Sequence, residues 1–529
     1  MNIQRTFLSS LGDVDTPLPW AEWAAERYGI VTRWLEGATI LDPTLGKGNL
    51  LESLIVAGSK RGIKPSNLPV QNLFGLDLNE EKIFSFRERL QERYGVTIPR
   101  GNLVVGDLLL GHLDWEKKDC PIKESFKAKG LLPPADILFG NPPWGTFAAL
   151  PDFYKQGVRD LFLEYGLVSS RRQVLLGNSR VDIAALVLLS AVRNYLNPRG
   201  EGIFFLPLSL FFSEGAGEGF RAFKAKEVTF QIQEVMELPT DRVFPRVETR
   251  SGLVYLKRDE EHSYPVPFYR FSKESPVASL KGSGGDAWNA APVDGERSSW
   301  ILYRKGTSKP LPLQKIPLPP GAVPRQGVNT CGANELFFFH TLYPDSEQTV
   351  RAENNTISIR LPRTFLFPLL TGEAFRAENP TPGKWVFLPY GKDGKPLSPE
   401  RMANDPLLKD FVETYRERLS SRKGVLIQNW IRKGCPWALL GVGVYSFAPW
   451  KIVWEAAGKH RFVPRIFPGE WQANQSMYGF LSFYDLEAAQ QVFTALHSPE
   501  VETYLGSLNS GGTLNWAQPG RMKRLFQYN

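Results

Sequence analysis

The stretch "DILFGNPPWGTF" places an asparagine, two prolines and a tryptophan directly after a short apolar run. Prolines end strands because they lack a backbone donor, and they hold the backbone rigid. An exocyclic amino group of a nucleobase is a poor nucleophile, because its lone pair is delocalised into the ring. Two acceptors, the Asn141 side-chain oxygen and the Pro142 carbonyl, would draw that nitrogen towards tetrahedral geometry, while the Trp144 ring would stack on the base. The alternative is an Asn-Pro turn beside a core tryptophan.

Three aspartates form the second group of candidates, each at the end of a short apolar run. Asp42, Asp77 and Asp107 close "ATILD", "LFGLD" and "LVVGD", which are spaced as successive strand-helix-strand units. Ligands bind outside the carboxyl ends of strands in an open parallel sheet, so we expect the three acids to line one pocket. Asp77 would accept from ribose hydroxyls and Asp107 from an adenine amino group. The alternatives are a helix cap for Asp77 and a plain turn for Asp107.

The segment "DPTLGKGNLL" reads as a strand end, a Gly-x-Gly turn and a helix start. Gly46 and Gly48 would permit a tight turn and close approach of the backbone to a ligand. The segment lacks the third glycine of the pyrophosphate fingerprint, and Lys47 is not followed by the Ser or Thr of a P-loop. A strand-to-helix turn with no ligand remains an alternative for this motif alone.

The elements that must position these residues alternate along the first half of the chain. Apolar runs over 38–42, 73–77, 103–107, 136–140, 202–207 and 253–257 predict buried strands, and helical spacing lies between them. Such alternation predicts a mostly parallel sheet with helices on both faces, over residues 1–258. Residues 259–309 are rich in Pro, Gly and Ser and predict a linker. Residues 310–529 mix strand and helix patterns and predict a separate α+β domain.

Composition excludes several classes of protein. The 529 residues are 42% hydrophobic, which suits a globular chain, and three widely spaced cysteines cannot form a disulfide framework. No uncharged apolar run reaches the length of a membrane span, and the five histidines show no metal-binding spacing, so we expect a soluble cytoplasmic protein without a metal. Most of the net charge of +8 lies in residues 259–529, which favours a polyanionic partner. Four basic clusters there, at 416–423, 430–434, 458–465 and 520–524, would either track phosphates or form ordinary solvated surface.

Together, these motifs resemble those of the S-adenosylmethionine-dependent amino-group DNA methyltransferases, in particular the adenine-N6 enzymes of gamma-type motif order. "DPTLGKGNLL" is similar to their cofactor loop, "NPPW" to their catalytic tetrapeptide, and "DTPLPWAEWAAERY" to the segment that closes over the cofactor. "ELPTDRVFPRVETRSGLVYLKR" resembles the segment whose Phe packs on the second face of the base. The resemblance implies catalytic and base-binding roles for Asn141, Pro142, Trp144 and Phe244. It implies S-adenosylmethionine contacts for Thr16, Pro17, Asp42, Gly46, Gly48, Asp77 and Asp107.

The same resemblance implies a doubly wound, Rossmann-like α/β methyltransferase domain followed by an α+β target-recognition domain. The implied activity is site-specific methylation of a flipped-out adenine in double-stranded DNA, within a restriction-modification or phage-defence system. Cleavage would then reside in a separate restriction or defence subunit. Three alternatives stay open: N4-cytosine methylation, methylation of an RNA adenine, and a catalytically silent specificity subunit that binds nucleic acid.

Overall fold

The protein forms two compact units, Met1–Pro310 and Leu311–Asn529. The computed structural model describes residues 14–111, 131–169, 181–213, 215, 217–245, 247, 249–271, 286–309, 314–456, 462–508, 517 and 519–528. Each unit has its own sheets and is described separately below.

The first unit contains eleven strands and eight α-helices among its described residues. The strands are β1 Ile40–Asp42, β2 Leu73–Asp77, β3 Leu103–Val105, β4 Ala135–Gly140, β5 Leu196–Pro207, β6 Lys224–Ala225, β7 Val228–Leu238, β8 Ser251–Arg258, β9 Val266–Arg270, β10 Asp286–Pro292 and β11 Trp300–Arg304. The helices are α1 Leu18–Arg27, α2 Ile30–Leu35, α3 Asn49–Lys60, α4 Glu80–Tyr94, α5 Asp152–Glu164, α6 Ile183–Tyr195, α7 Ser209–Phe212 and α8 Thr240–Val243.

These strands form one large sheet in the order β11-β10-β9-β7-β8-β5-β4-β1-β2-β3, with β6 beside β7. The run from β3 to β5 is parallel throughout, whereas β8 is antiparallel to both β5 and β7. The chain leaves β1 for β2 on one side and returns to β4 on the other. The strand order therefore reverses between β1 and β4, the place where open α/β sheets bind their ligands.

Helices cover both faces of this sheet, and the strand sequences show why. Successive side chains of a strand point to opposite faces. In β4, Leu138 packs into one buried cluster with α5 and α6, whereas Ile137 and Phe139 pack into the other with α1, α3 and α4. All these side chains are almost fully buried, which explains the continuous apolar run of β4. The predicted doubly wound α/β fold is confirmed.

The prediction of a linker over residues 259–309 is wrong, because the described part of this segment forms strands. β9, β10 and β11 lie in this segment and extend the sheet of the first unit, with β9 parallel to β7. Val266 and Phe268 of β9 are fully buried. Residues 272–285, which hold much of the Pro, Gly and Ser content, lie outside the described residues. The boundary between the units falls at Pro310, close to the predicted start of the second domain.

The second unit is α+β, as predicted, with short helices and small sheets that are antiparallel, in its described residues, except for the parallel pair of its first and last strands. Its strands are β12 Ile316–Leu318, β13 Arg325–Gln326, β14 Phe338–Phe339, β15 Thr341–Pro344, β16 Thr349–Glu353, β17 Ser358–Pro362, β18 Leu366–Pro368, β19 Trp385–Phe387, β20 Trp450–Glu455, β21 Arg465–Pro468, β22 Tyr478–Phe483 and β23 Phe526–Tyr528. Its helices are α9 Asn334–Phe337, α10 Gly372–Arg376, α11 Pro399–Asn404, α12 Pro406–Thr414, α13 Arg416–Ser420, α14 Val425–Arg432, α15 Leu486–Leu496, α16 Pro499–Leu508 and α17 Pro519–Met522. Across the described ranges of both units, no helix is both long enough and apolar enough to cross a bilayer.

Candidate functional site

Asn141 directly follows β4, at the sheet edge where the strand order reverses. Pro142 and Pro143 carry the chain out of the sheet, since neither can donate to a ladder. Further along, the loop is fixed from the other side: the Ile183 N–H donates to the Gly145 carbonyl at 2.8 Å, and the Phe147 N–H to the Val181 carbonyl at 3.0 Å. The Asn-Pro-Pro-Trp step is therefore held at both ends.

The Asn141 amide has a defined orientation. Its Nδ2 donates to the Val14 carbonyl at 2.7 Å and to Thr16 Oγ1 at 3.0 Å. Because a backbone carbonyl can only accept, the NH₂ group must face Val14, and the carbonyl oxygen must face the other way. Asn141 Oδ1 is buried and has no hydrogen-bond partner among the described residues. An unpaired buried acceptor costs about 1–3 kcal/mol, so this oxygen is suited to a donor from a ligand.

Asp42, at the end of β1, holds a second unpaired acceptor. Its carboxyl is fully buried; Oδ1 accepts from the Thr44 N–H at 3.0 Å, whereas Oδ2 has no partner in the described part of the chain. Burial raises the pKa of Asp42 to about 8, against the hydrogen bond from Thr44, and the charge of Asp77 raises it further. A cationic or donor group beside Oδ2 would relieve this desolvation.

The glycine turn after β1 closes onto β2. The Gly46 N–H donates to Asp77 Oδ2 at 2.7 Å, and the Asn79 N–H donates to Asp77 Oδ1 at 2.8 Å. Gly48 has φ +78°, and a Cβ there would lie 2.3 Å from the Phe86 ring. Both features require glycine at position 48. Asp77 thus orders the loop as well as bordering the cavity, a second role that its sequence position did not reveal.

Asp107 is buried and already well bonded. Its Oδ1 accepts from the Leu109 N–H at 2.6 Å and from the Leu110 N–H at 3.1 Å, and its Oδ2 accepts from the Tyr154 hydroxyl at 2.7 Å. Burial raises the pKa of this carboxyl, and the three hydrogen bonds oppose that effect. The role of Asp107 towards an adenine amino group stays a prediction, and the observed bonds give it a structural role in the wall of the pocket.

Two adjoining cavities occupy this edge of the sheet. The larger has an empty volume of about 670 Å³ and is bordered by Asp77, Asp107 and Asn141. The smaller, about 310 Å³, is bordered by Thr16, Asp42 and Asn141. Because Asn141 and Thr44 line both, the three predicted aspartates and the predicted asparagine do meet around one connected site. The fold brings them together from the ends of four strands.

The two predicted base-stacking rings contact each other. The Trp144 and Phe244 centroids lie 4.9 Å apart with an interplanar angle of 73°, an edge-to-face arrangement. A base held between two rings needs about 7 Å between them, since each stacked pair is separated by roughly 3.5 Å. Phe244 is 2% exposed and also packs edge-on against Phe205. The structure places both rings beside the Asn-Pro-Pro loop, but the predicted sandwich is absent from this arrangement.

The segment before α1 contributes contacts that the sequence did not reveal. Thr16 is buried; its carbonyl accepts from Asn49 Nδ2 at 2.8 Å in addition to the bond between its hydroxyl and Asn141. Pro17 immediately precedes α1 and starts the helix. Lys47, in the glycine loop, pairs with Asp15 at 2.6 Å. The sequence singled out Thr16 and Pro17, but it gave no signal that Val14 and Thr16 fix the Asn141 amide.

In the second unit, part of the basic sequence pattern is internal. Arg422 is 1% exposed, donates to the Leu419 and Thr330 carbonyls at 3.1 Å, and so belongs to the core. Arg418 pairs with Glu335 at 2.7 Å. Arg465 donates to the Ala377 carbonyl at 2.7 Å. Residues 458–461 of the third cluster lie outside the described residues. A phosphate-tracking role for Arg422 is therefore wrong, because spacing alone cannot tell a buried guanidinium from an exposed one.

No group of three or more His, Cys, Asp or Glu side chains that could hold a metal ion occurs in the described ranges. The first unit thus defines a class by its fold and site: a Rossmann-like α/β unit with acidic and amide acceptors at the switch point of its sheet.

Comparison with known proteins gives relatives of both units. No protein-family model matches the chain. It is 29% identical over 540 residues to the Type II methyltransferase M.NspV of Nostoc sp., covering 96% of this chain and 94% of that protein. Among solved structures, the Type IIL restriction-modification enzyme MmeI in complex with DNA matches 97% of this chain with a TM-score of 0.55 and 14% identity. A nuclease-deletion mutant of the Type ISP enzyme LlaGI, in complex with a DNA substrate mimic, matches 95% with a TM-score of 0.55 and 12% identity.

This chain covers 64% of the MmeI chain and 52% of the LlaGI chain, so both enzymes are considerably longer. At these identities the structural likeness concerns the fold, which is shared over nearly all of this chain.

The glycine turn gives a first test. Gly46→Ala should cost about 1–2 kcal/mol, because φ is +53° but the nearest atom to the new Cβ is 3.8 Å away. Gly48→Ala should cost a further 1–3 kcal/mol or so, since its Cβ must displace the Phe86 ring. Chemical denaturation of the two variants measures the difference. Equal free energies of unfolding would show that the ring yields without cost.

The Asp42 carboxyl predicts a pH dependence of stability. Its folded pKa is about 8 against an ordinary 3.8, so between these values the folded state keeps a proton that the unfolded state has lost. The free energy of unfolding should therefore fall as pH rises from about 4 to about 8, by at most about 1.4 kcal/mol per pH unit. Asp42→Asn should flatten this decline, as measured by denaturant unfolding at each pH. An unchanged slope in the variant would contradict the assignment.

Proposed function

We propose that this protein is a DNA methyltransferase that transfers a methyl group from S-adenosylmethionine to N6 of an adenine extruded from duplex DNA, within a restriction-modification or phage-defence system. The single observation that carries the proposal is the buried, unpaired Asn141 Oδ1, held beside acidic side chains at the switch point of the sheet. The likeness to a Type II methyltransferase over 96% of the chain supports the reaction class. MmeI and LlaGI, both solved with DNA or its mimic, support DNA as the partner.

The cofactor would occupy the two adjoining cavities. The unpaired Asp42 Oδ2 suits a cationic or donor group, and the turn at Gly46 and Gly48 brings backbone close to the ligand. Asp77 would hold the ribose hydroxyls, with Asp107 in the wall of the pocket; Thr16 borders the smaller cavity, and Pro17 follows it at the start of α1. S-adenosylmethionine supplies a sulfonium methyl group that an amine can displace directly, without a covalent enzyme intermediate.

Asn141 and Pro142 act on the target amine. Asn141 Oδ1 and the Pro142 carbonyl would accept hydrogen bonds from its two N–H groups, so that the nitrogen lone pair is directed at the methyl group. As the nitrogen–carbon bond forms, the carbon–sulfur bond would break to leave a neutral thioether, and the nitrogen would release one proton to solvent. The Pro142 ring restricts its φ angle, and Pro143 restricts the ψ angle of Pro142, so this carbonyl has little rotational freedom. Positioning and exclusion of water then supply most of the acceleration. The same geometry would hold the exocyclic amine of cytosine or of an RNA adenine.

Trp144 offers the stacking face for the extruded base, worth about 1–3 kcal/mol. Phe244 supports the edge of that ring in the present arrangement. Entry of the base would separate the two rings if Phe244 is also to cover the second face. Extrusion itself costs a few kcal/mol, which the pocket must repay.

The second unit, Leu311–Asn529, is proposed as the target-recognition domain, with a separate restriction or defence subunit as a further partner. A catalytically silent specificity subunit would bind DNA equally well. The intact Asn141, Asp42 and Asp77 favour a working enzyme over that alternative.

Modified-base sequencing of genomic DNA from cells with and without the gene tests the proposal. N6-methyladenine at a defined motif, present only with the parent protein and lost with Asn141→Ala, is the expected result. N4-methylcytosine would replace the adenine assignment, methylation confined to RNA would replace DNA, and no modification of either would leave only a binding role.

The amide orientation gives a sharper kinetic prediction. Thr16→Val removes one of the two acceptors of Asn141 Nδ2 and leaves the Val14 carbonyl, while it keeps the shape of the side chain, so the single-turnover rate should fall while S-adenosylmethionine affinity changes little. Thr16→Ser should restore the rate because it keeps the hydroxyl. Asn141→Ala should lower the rate by orders of magnitude at similar affinity. If Thr16→Val loses cofactor affinity instead, Thr16 serves the cofactor and does not orient the amide.

A further inference from the structure

Two exposed arginines and a tyrosine of the second unit form a row that the sequence pattern did not predict. Tyr343, Arg351 and Arg360 lie opposite one another in β15, β16 and β17. The side chains of the two arginines are 56% and 67% exposed, and the tyrosine is 45% exposed. The opposite face of these strands packs into the core through Val350 and Leu361. The row therefore stands on the solvent face of the sheet.

The row is not explained by stability. Like charges at directly opposed positions of neighbouring strands are destabilising. Each arginine has a carboxylate nearby, with Arg351 at 3.1 Å from Glu353 and Arg360 at 3.7 Å from Asp345. Exposed ion pairs of this kind contribute little. The Arg351 guanidinium also lies 5.2 Å from the centre of the Tyr343 ring. Two guanidinium groups fixed side by side are instead suited to an external polyanion.

The sheet that carries the row is anchored. Asn354, in the turn between β16 and β17, donates through Nδ2 to the carbonyls of Glu335 and Phe338, both at 2.7 Å. These bonds fix the β16–β17 turn to the chain around α9. The arginines therefore project from a fixed platform, which lowers the entropy lost on binding.

A polar groove begins on the same face, two residues further along the strands. Thr349 and Pro362 are opposite each other, and each lies two residues from an arginine of the row, about 7 Å away on the same face. They form one end of an opening of about 1370 Å³. Its other lining includes the exposed residues Gln348, Arg363, Arg401 and Asn404.

Two features of this groove suit base edges: its arginines have no ion-pair partner in the described chain, and the carboxylate that borders it is already hydrogen-bonded. Neither Arg363 nor Arg401 has an ion-pair partner among the residues that the structure describes. Asp405, which also borders the groove, accepts from the Leu407 and Leu408 N–H groups and caps α12. Arginine pairs through two bonds with guanine, and asparagine or glutamine pairs with adenine, in the major groove of B-DNA.

We propose that this face of the second unit contacts duplex DNA, with the Tyr343-Arg351-Arg360 row on phosphates and the groove of Gln348, Arg363, Arg401 and Asn404 on base edges. The proposal rests on the proposed function and names the surface that reads the target. The base edges in the major groove of B-DNA are accessible to protein side chains, whereas A-form RNA has a major groove too deep and narrow for side chains to read.

Salt dependence of binding tests the row. The full-length Arg351→Ala/Arg360→Ala variant and the parent bind a mixed-sequence DNA duplex over a range of salt concentrations. Loss of two phosphate contacts should reduce the slope of log affinity against log salt by about 1.8. Arg376→Ala/Lys392→Ala is the matched control, since both residues are exposed on the same unit, lie outside the four basic clusters and lose the same total charge. It should leave the slope close to that of the parent.

Modified-base sequencing tests the groove. Arg401→Ala or Asn404→Ala should relax the methylated motif at one position while methylation continues. An unchanged slope in the row variant, or a loss of slope only in the control, overturns the surface, and so does an unchanged motif in every groove variant. Failure of the parent to bind duplex DNA at all would instead overturn the proposed function and this surface together. Tighter binding of an RNA duplex that depends on the same row would replace DNA with RNA.

Discussion

The central constraint in the first unit is a pair of buried oxygen atoms, Asn141 Oδ1 and Asp42 Oδ2. Neither has a hydrogen-bond partner in the described chain. They lie at the carboxyl ends of adjacent parallel strands, β4 and β1. Folded proteins seldom leave buried acceptors unpaired, since each costs about 1–3 kcal/mol. The apolar cores on the two faces of the large sheet supply the stability that offsets this cost. A ligand with a cationic group and an amine would recover it, which is the physical link between this fold and the proposed reaction.

The surroundings of these atoms keep them unpaired instead of letting them find internal partners. Val14 and Thr16 occupy the NH₂ side of the Asn141 amide, so the amide cannot turn its oxygen towards the protein. The Thr44 hydroxyl donates to the Asn141 backbone carbonyl at 3.1 Å, which ties the β1 loop to the β4 loop. Short, direct contacts thus couple the two adjoining cavities. Under the proposed function, a change in the segment before α1 would affect both the target amine and the cofactor.

In the second unit, some basic side chains are buried in a small α+β core, and others are exposed on its surface. Arg422 shows that a basic residue there can serve the core, with its guanidinium on backbone carbonyls. Lys451 is a second case: it is 1% exposed, and its Nζ donates to the Ser446 and Trp471 carbonyls at 2.8 Å. Net charge therefore overstates the cations available to a partner. Those that remain exposed on β16 and β17 are defined by strand register.

The sequence by itself determined the alternation of strands and helices, the acids at the strand ends and the Asn-Pro-Pro-Trp step, because these depend on local periodicity and on the backbone limits of proline and glycine. It did not reveal that residues 259–309 belong to the sheet, since a strand between turn-rich segments is recognised only when it pairs. Tertiary structure alone decided that Val14 and Thr16 orient Asn141, that Trp144 meets Phe244 edge-on, and that Arg422 is buried while Arg351 and Arg360 are exposed. These contacts join residues distant in sequence, and spacing along a chain carries no information about which distant segment packs against it.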